Sequence, residues 1–426
     1  NKKNYLIKKV KKYLLFNNDP LSSLNYLYTN GSSAGYYRLK TLESHSLSLK
    51  YISEYLKEVA ANFFKSSELE FINSKPFKKS YEKIYLTWGH KINFSSKGNY
   101  YDKYFKSNSS NKKNLWIIAY EENSLPKKLS DNILLVHINK KKFSFTNFIK
   151  NTLLVIKNST FSITNFFRYL PFSSVFALSL NHNLFKILKN IEFKTVYIPY
   201  ESQPFQQYFI KIIKKKFKKK IKVIGYVHSF LPAMPTYYVY RKFSPDKLLV
   251  HGISQKKILS NHLGWKSKKI EIIKSLRFGK KDIFDKNYFF VSYNLFKNSN
   301  KNLENFELFL NKTNDFNFKK CEVKLHPAKK YDQKHLNFKF KIEKILLKFS
   351  KKFSQNKFSK KINFCFGESS VIIESLERGV EVIHFSIDPI LEVFDGDLWK
   401  NIVVKEISKN VYHYKLKKRG LYLKFK

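Results

Sequence analysis

The sequence predicts an α/β protein made of two successive parallel-sheet units that face a cleft. Short apolar runs alternate with helical patterns, as a parallel sheet with crossover helices requires. That alternation restarts near Asn287, so the sheet is built twice. The chain has 426 residues, 43% of them apolar, enough for two or three cores at about 150 residues per domain. The expected division is 1–280, of which 1–80 is mainly helical, and 281–426.

The elements follow in order. Leu42–Phe64 carries Leu47, Leu49, Ile52, Tyr55 and Val59 at helical spacing. Lys83–Trp88, Leu115–Tyr120 and Ile133–Ile138 are apolar runs that read as buried strands. Between the first two, Lys91–Lys113 is rich in Ser, Asn and Lys and reads as a long surface loop. Thr195–Pro199, Lys222–His228 and Lys247–His251 give three more strands. Phe209–Lys220 reads as a crossover helix with Phe209, Ile213 and Phe217 on one face and seven Lys around it. The same Lys face would also suit anionic lipid headgroups. In the second unit, Tyr288–Tyr293, Cys321–Leu325, Ile362–Phe366 and Val380–Phe385 are strands. Leu303–Leu310, Ile342–Phe353 and Ser369–Arg378 are the helices between them.

Composition bounds the function. Lys and Arg number 81 against 32 Asp and Glu, a formal charge of +49. A basic surface of that size invites a nucleic-acid reading, since neutralised phosphates release counterions. Against it, Lys is spread along the chain with Asn, Phe, Ile and Tyr, the pattern of an AT-rich coding sequence. Arg occurs only at positions 38, 168, 241, 277, 378 and 419, whereas base readout favours the planar guanidinium. No specific nucleic-acid partner is expected, and none of the common binding modules is present. Two cysteines, Cys321 and Cys365, exclude a disulfide scaffold. The start of the chain is a Lys-interrupted amphipathic stretch without the form of a signal peptide. The longest apolar windows, such as Leu170–Leu180, fall short of a bilayer span. The expected location is cytoplasmic, with peripheral contact at the inner face of a membrane as a further option.

Chemistry concentrates at strand ends, where open parallel sheets bind ligands. At the end of one strand come Gly367-Glu368-Ser369-Ser370, a turn followed by a helix that Gly379 terminates. Ser369 or Ser370 would cap that helix, and free N–H groups there suit a phosphate. Glu374, one turn later, could reach ribose hydroxyls. The same segment also suits any capped helix between two strands. His326 ends a strand and Pro327 stops it continuing, so His326 could hold a phosphate oxygen or protonate a leaving group. In the first unit, Glu201 in Tyr200–Pro204 and His228 in Gly225–Ser229 hold the corresponding places. Either could take a proton from an acceptor hydroxyl. Asp102, in the polar loop beside Trp88-Gly89-His90, is the third candidate base.

The order Lys324-Leu325-His326-Pro327, Gly367-Glu368-Ser369-Ser370 and Glu374–Gly379 resembles the His-Pro and Ser-Ser motifs of GT-B-fold glycosyltransferases. These are the enzymes of bacterial capsule and surface-polysaccharide synthesis, including polysialyltransferase-like and Kdo-transferase-like groups. The first half, with Thr87–Gly89, Tyr200–Pro204, Gly225–Ser229 and Pro245–Gly252, is similar to the surface carbohydrate biosynthesis family. One departure is Val380-Glu381, where that family places a Pro before the final strand. The resemblance covers roughly residues 80–400 and implies two Rossmann-like domains about a cleft. It implies a nucleotide-sugar donor in the second domain, held by His326, Pro327, Gly367, Ser369, Ser370 and Glu374. A glycan or lipid-linked glycan acceptor would lie in the first, with Glu201, His228 or Asp102 as base. It implies no cofactor and no metal, side-chain donors meeting the departing phosphate. Other readings are a polyol-phosphate transferase of teichoic-acid type, a non-hydrolysing sugar-nucleotide epimerase, a basic nucleic-acid-binding protein, and a catalytically inactive binding relative.

Overall fold

The structure is a computed structural model that describes residues 2–16, 19–21, 49–73, 77–138, 143–160, 162–217, 221–279, 286–293, 299–313, 321–354 and 362–425. The strands of the first half are β1 (Glu70–Ile72), β2 (Lys83–Gly89), β3 (Tyr101–Asp102), β4 (Ser107–Asn108), β5 (Asn114–Tyr120), β6 (Ile133–His137), β7 (Thr195–Pro199), β8 (Lys222–Tyr226), β9 (Lys247–Val250) and β10 (Ile270–Ile272). Those of the second are β11 (Asn287–Val291), β12 (Cys321–Leu325), β13 (Ile362–Phe366), β14 (Glu381–Phe385), β15 (Ile402–Ser408) and β16 (Val411–Leu416).

The first sheet runs β1-β6-β5-β2-β7-β8-β9-β10. Only the β1–β6 pairing is antiparallel. Numbered from β2, its six central strands have the order 3-2-1-4-5-6 of a Rossmann sheet, whose crevice opens at the carboxyl ends of the first and fourth strands. The second sheet runs β12-β11-β13-β14-β16-β15, parallel through β14 and closed by an antiparallel hairpin. The protein is therefore an α/β fold of two Rossmann-like sheets.

The parallel strands form because their runs are apolar on both faces. Every residue of β5, β6 and β13 is buried, as crossover helices on both sides demand. The helix Phe172–Leu188 is buried over most of its length, its Ser174, Ser179 and Asn181 included, and packs as a core helix. In the helix Pro204–Lys216, Phe209, Ile210, Ile212 and Ile213 are buried, and Lys214 pairs with Asp246 at 3.0 Å. Its Lys face is thus the solvated side of a crossover helix. The expected extension to Lys220 and the start of Leu42–Phe64 lie outside the described residues, while Leu49–Ala60 is helical.

The expected surface loop Lys91–Lys113 is instead a packed excursion. Tyr100, Asp102 and Ser109 are buried in it. The β3–β4 hairpin is organised by Asp102, which accepts from Thr87 Oγ1 at 2.6 Å, Tyr100 OH at 3.0 Å, and the amides of Tyr104 and Phe105 at 2.8 and 2.7 Å. The segment is polar in composition because it is held by hydrogen bonds to a buried carboxylate, with no apolar periodicity to display.

The chain crosses from one sheet to the other once and then returns. Its C-terminal strip lies on the first half: Leu421 O accepts from Ser254 N at 2.9 Å, Lys424 N donates to His251 O at 2.8 Å, and Ser275 N donates to Lys424 O at 2.8 Å. Buried Glu377 steers that strip by accepting from the amides of Gly420 and Tyr422. Gly252 is required where the two backbones touch, since a Cβ there would sit 2.3 Å from Leu421 O and 2.4 Å from Tyr422 C. Backbone cannot yield as a side chain can. Gly252→Ala should cost about 1–3 kcal/mol, the usual scale of overpacking, read as a lower denaturation midpoint with unchanged slope.

Candidate active site at the facing strand ends

Glu201 follows β7 and His228 follows β8, adjacent parallel strands, so both side chains leave the sheet at the same edge. His228 Nε2 lies 3.5 Å from Glu201 Oε1, and Gln203 Nε2 donates to Glu201 Oε2 at 2.8 Å. Burial raises the Glu201 pKa, and the Gln203 bond opposes that rise. Burial, then Arg277 and His251, push His228 down to about 3, so its ring is neutral near pH 7. The edge of Tyr104 packs against the His228 ring at 4.6 Å.

The Glu201 turn is built for rigidity. Ser202 adopts φ 59°, a left-handed conformation that costs a non-glycine residue energy unless its surroundings impose it. Those surroundings are dense. Gln206 Oε1 accepts from the amides of Glu201 and Gln203, and its Nε2 donates to Pro199 O. Gln207 Nε2 donates to Ser202 Oγ at 3.1 Å. The buried Arg241 guanidinium donates to Ser202 O at 3.1 Å and also to Ser202 Oγ.

In the second half, His326 follows β12 with its ring edge to Tyr293 at 5.2 Å. Pro327 opens the short 3-10 turn that follows. Burial, then Arg277, push His326 down to about 4. At the end of β13, Gly367 takes φ 77°, the left-handed turn for which glycine is suited. Ser369 Oγ accepts from Val371 N at 3.3 Å, while Ser370 caps the seven-residue helix Val371–Glu377 without a side-chain bond. Glu374 is engaged within the chain, where Arg378 meets its Oε1 through Nε and Nη2 at 3.1 and 3.0 Å. A ribose hydroxyl would have to share it with that guanidinium.

Two residues that sequence reasoning left without a role complete the arrangement. Arg277 lies in the segment between the sheets; after burial it is the next cause that lowers His228, His251 and His326, and it opposes the burial-driven rise of Tyr104 and Tyr226. It is exposed, and among the described residues it has no carboxylate partner. A cation so placed between histidines of both halves is ready for an anion. Its only advance signal is that it is Arg in a chain that uses Lys by default. Glu368, inside the Gly-Glu-Ser-Ser turn, accepts from Ala233 N at 2.5 Å and so joins that turn to the first half. Asp102, by contrast, is closed off: it has no exposed surface and its two oxygens receive four donors. His90 faces outward to Glu122 at 3.0 Å. Among the described residues, no group of three or more His, Cys, Asp or Glu could hold a metal ion.

Burial raises Glu368 to about 8, against 4.5 for a free carboxyl, with Glu392 adding repulsion. The native state therefore holds this proton more tightly than the unfolded chain does. The resulting stability is present at low pH and is lost as pH rises through that window. Glu368→Gln keeps an acceptor for Ala233 N and removes the titration. The variant should melt several degrees above the parent at about pH 9 and no higher at about pH 5.

No protein-family model matches the sequence, and no curated protein matches it. Solved structures are similar at low levels. A trehalose-6-phosphate synthase, from a study of enzymatic glycosyltransfer with retention, is 14% identical over 62% of this chain and 74% of its own, with TM-score 0.31. UDP-GlcNAc 2-epimerase from Methanocaldococcus jannaschii is 13% identical over 72% and 85%, with TM-score 0.35. The apo form of the lipopolysaccharide outer core galactosyltransferase WaaB is 11% identical over 71% and 80%, with TM-score 0.31. At these values the likeness adds nothing to what the strand orders already state.

Proposed function

We propose that this chain is a GT-B-type glycosyltransferase that moves a sugar from a nucleotide-sugar to a growing surface or capsular glycan, free or lipid-linked. The observation that carries the proposal is the pairing of Glu201 with His228 at the ends of adjacent strands of one sheet, with Arg277 acting on both His228 and His326 of the other. Glu201, its basicity raised by burial, takes the proton of the acceptor hydroxyl. That oxygen bonds to the anomeric carbon as the bond from carbon to the phosphate oxygen breaks. The nucleotide leaves with the electron pair.

His228 is neutral and offers Nε2–H to Glu201, which orients the carboxylate. Arg277 meets the charge that grows on the departing phosphate, where a fixed cation is most useful. His326, also neutral, contributes a hydrogen bond there, and Ser369 and Ser370 supply hydroxyls. We assign Asp102 to the hairpin and not to proton transfer. No metal ion and no cofactor enters this scheme. Residues 1–280 would form the acceptor domain and 281–426 the donor domain of a protein working in the cytoplasm.

A thermal-shift series with CMP, UDP, GDP and CDP tests the reading, because a ligand selective for the native state raises its melting point. One nucleotide should stabilise the chain by about 3 kcal/mol at a hundred times its Kd. No shift with any of the four would count against a nucleotide-sugar donor.

A further inference from the structure

The helix Phe145–Ser159 is packed inside out. Its fully buried residues are Asn147, Asn151, Val155 and Ser159, three of the four polar, flanked by Phe148 on Phe63 and by Leu154 against the core. Asn151 is 1% exposed and works as a hydrogen-bond hub, accepting from Ser67 N at 2.9 Å and donating to Asn62 Oδ1 at 3.0 Å and Lys65 O at 2.9 Å. The opposite face carries Phe145, Ile149, Leu153 and Ile156, and Leu153 is 58% exposed. These four recur at helical spacing, so they form one stripe. The next helix, Ile163–Tyr169, continues the surface with Ile163 at 76% and Phe167 at 54% exposure.

Single exposed apolar side chains are ordinary, but a contiguous apolar stripe over a polar, hydrogen-bonded underside is not. Asn151 anchors that underside through its bonds to Ser67, Asn62 and Lys65, so the helix is seated by its polar side and turns its apolar face outward. The charge around it identifies that environment. Residues 143–170 contain Lys150, Lys157 and Arg168 and no acidic residue, and Lys140, Lys141 and Lys142 precede them in the sequence. Glu68, from outside this segment, pairs with Lys150 at 2.5 Å. A second copy of the chain would bring like charges together across such a face, whereas an anionic lipid surface receives both the apolar stripe and its cations.

We propose that the stripe of Phe145–Ser159, with Ile163 and Phe167, is a docking surface for an anionic membrane. The Lys-rich helix Pro204–Lys216 is not that surface, because its apolar residues are inside the core. Among the described residues no helix is long and apolar enough to cross a bilayer, so the contact is peripheral. It stands on the surface alone and is independent of the sugar-transfer reading; its test uses no nucleotide.

The test is flotation of the full chain with phosphatidylcholine vesicles, with and without phosphatidylglycerol. The parent should bind the anionic vesicles, bind neutral ones far less, and release with rising salt. Leu153→Glu with Ile156→Glu should weaken binding by about ten-fold or more, since two buried anchors and two units of charge are lost. Lys215→Glu changes the net charge by the same two units on the other helix, and should stay within about two-fold of the parent. Melting of the double variant at the parent's temperature establishes that it is folded. Equal binding of parent and double variant overturns the proposal, as does equal binding to neutral and anionic vesicles. A salt-resistant dimer of the parent that the double variant abolishes, with no vesicle binding, assigns the stripe to self-association and also overturns it.

Discussion

Replacing Glu201 with Gln should lower turnover by about 10²–10⁴-fold, the range that a positioned general base contributes. The substitution keeps the shape and an oxygen acceptor for Gln203, so the turn stays folded and nucleotide affinity stays near the parent value. The loss should therefore fall in kcat. The pH profile adds a signature that a structural role would not give. Glu201 acts as a base only when ionised, and burial raises its pKa. Activity should consequently fall on the acid side at a pH above the ordinary carboxylate range. Gln203 stabilises the ionised form by donating to Oε2. Gln203→Leu removes that donor, raises the Glu201 pKa further, and should move the acid limb to still higher pH. An acid limb that stays in place in Gln203→Leu would remove Glu201 from the role.

Arg277→Met should raise the donor KM by about 10–100-fold, because a charge-assisted contact to phosphate is lost. The nucleotide-induced thermal shift should shrink with it. Arg277→Lys should recover only part of the affinity, since an ammonium cannot make the planar two-point contact. A second readout needs no substrate at all. Arg277 is, after burial, the largest influence holding down His228, His251 and His326. In Arg277→Met their pKa values should move upward, His326 from about 4, as followed by imidazole proton shifts in NMR titration. Unmoved histidines would mean that the guanidinium does not face the cleft.

The central strands were legible because parallel strands covered on both faces must be apolar at successive positions, as in β5 and β13. The elements that escaped lack that signature. In β15, IVVKEIS, exposed and partly buried residues outnumber the single buried one, as suits an edge strand of a hairpin. The strands β1 and β10 are three residues each. The hairpin around Asp102 is held by a buried carboxylate and its donors, which no hydrophobic pattern reports.

The site divides in the same way. Glu201, His228, His326 and Gly367 could be found from the strand ends alone, because ligands gather there in parallel sheets. Their pairing could not, since the 3.5 Å between Glu201 and His228 is set by strand adjacency. Arg241, Arg277 and Arg378 carried a signal of another kind. In a chain that spends Lys almost everywhere, Arg241 holds the Ser202 turn, Arg277 acts on histidines of both halves, and Arg378 ties Glu374 to Gly279 O. The contacts of Arg241 and Arg378 use the geometry of the fork. The inverted helix Phe145–Ser159 could not be read in advance, because periodicity shows a stripe without saying which side of it is inside.

In the proposed reaction a nucleotide-sugar binds beside Arg277 and His326 and is opened by an acceptor that Glu201 deprotonates. Its most direct test is to incubate the chain with a panel of nucleotide-sugars and a glycan acceptor, measuring both released nucleotide and extended glycan. Release from one nucleotide class, matched by sugar incorporation, is expected, with the loss of both in Glu201→Gln and in Arg277→Met. Release and incorporation at the parent rate in both variants, or no turnover of any nucleotide-sugar by the parent, would contradict it.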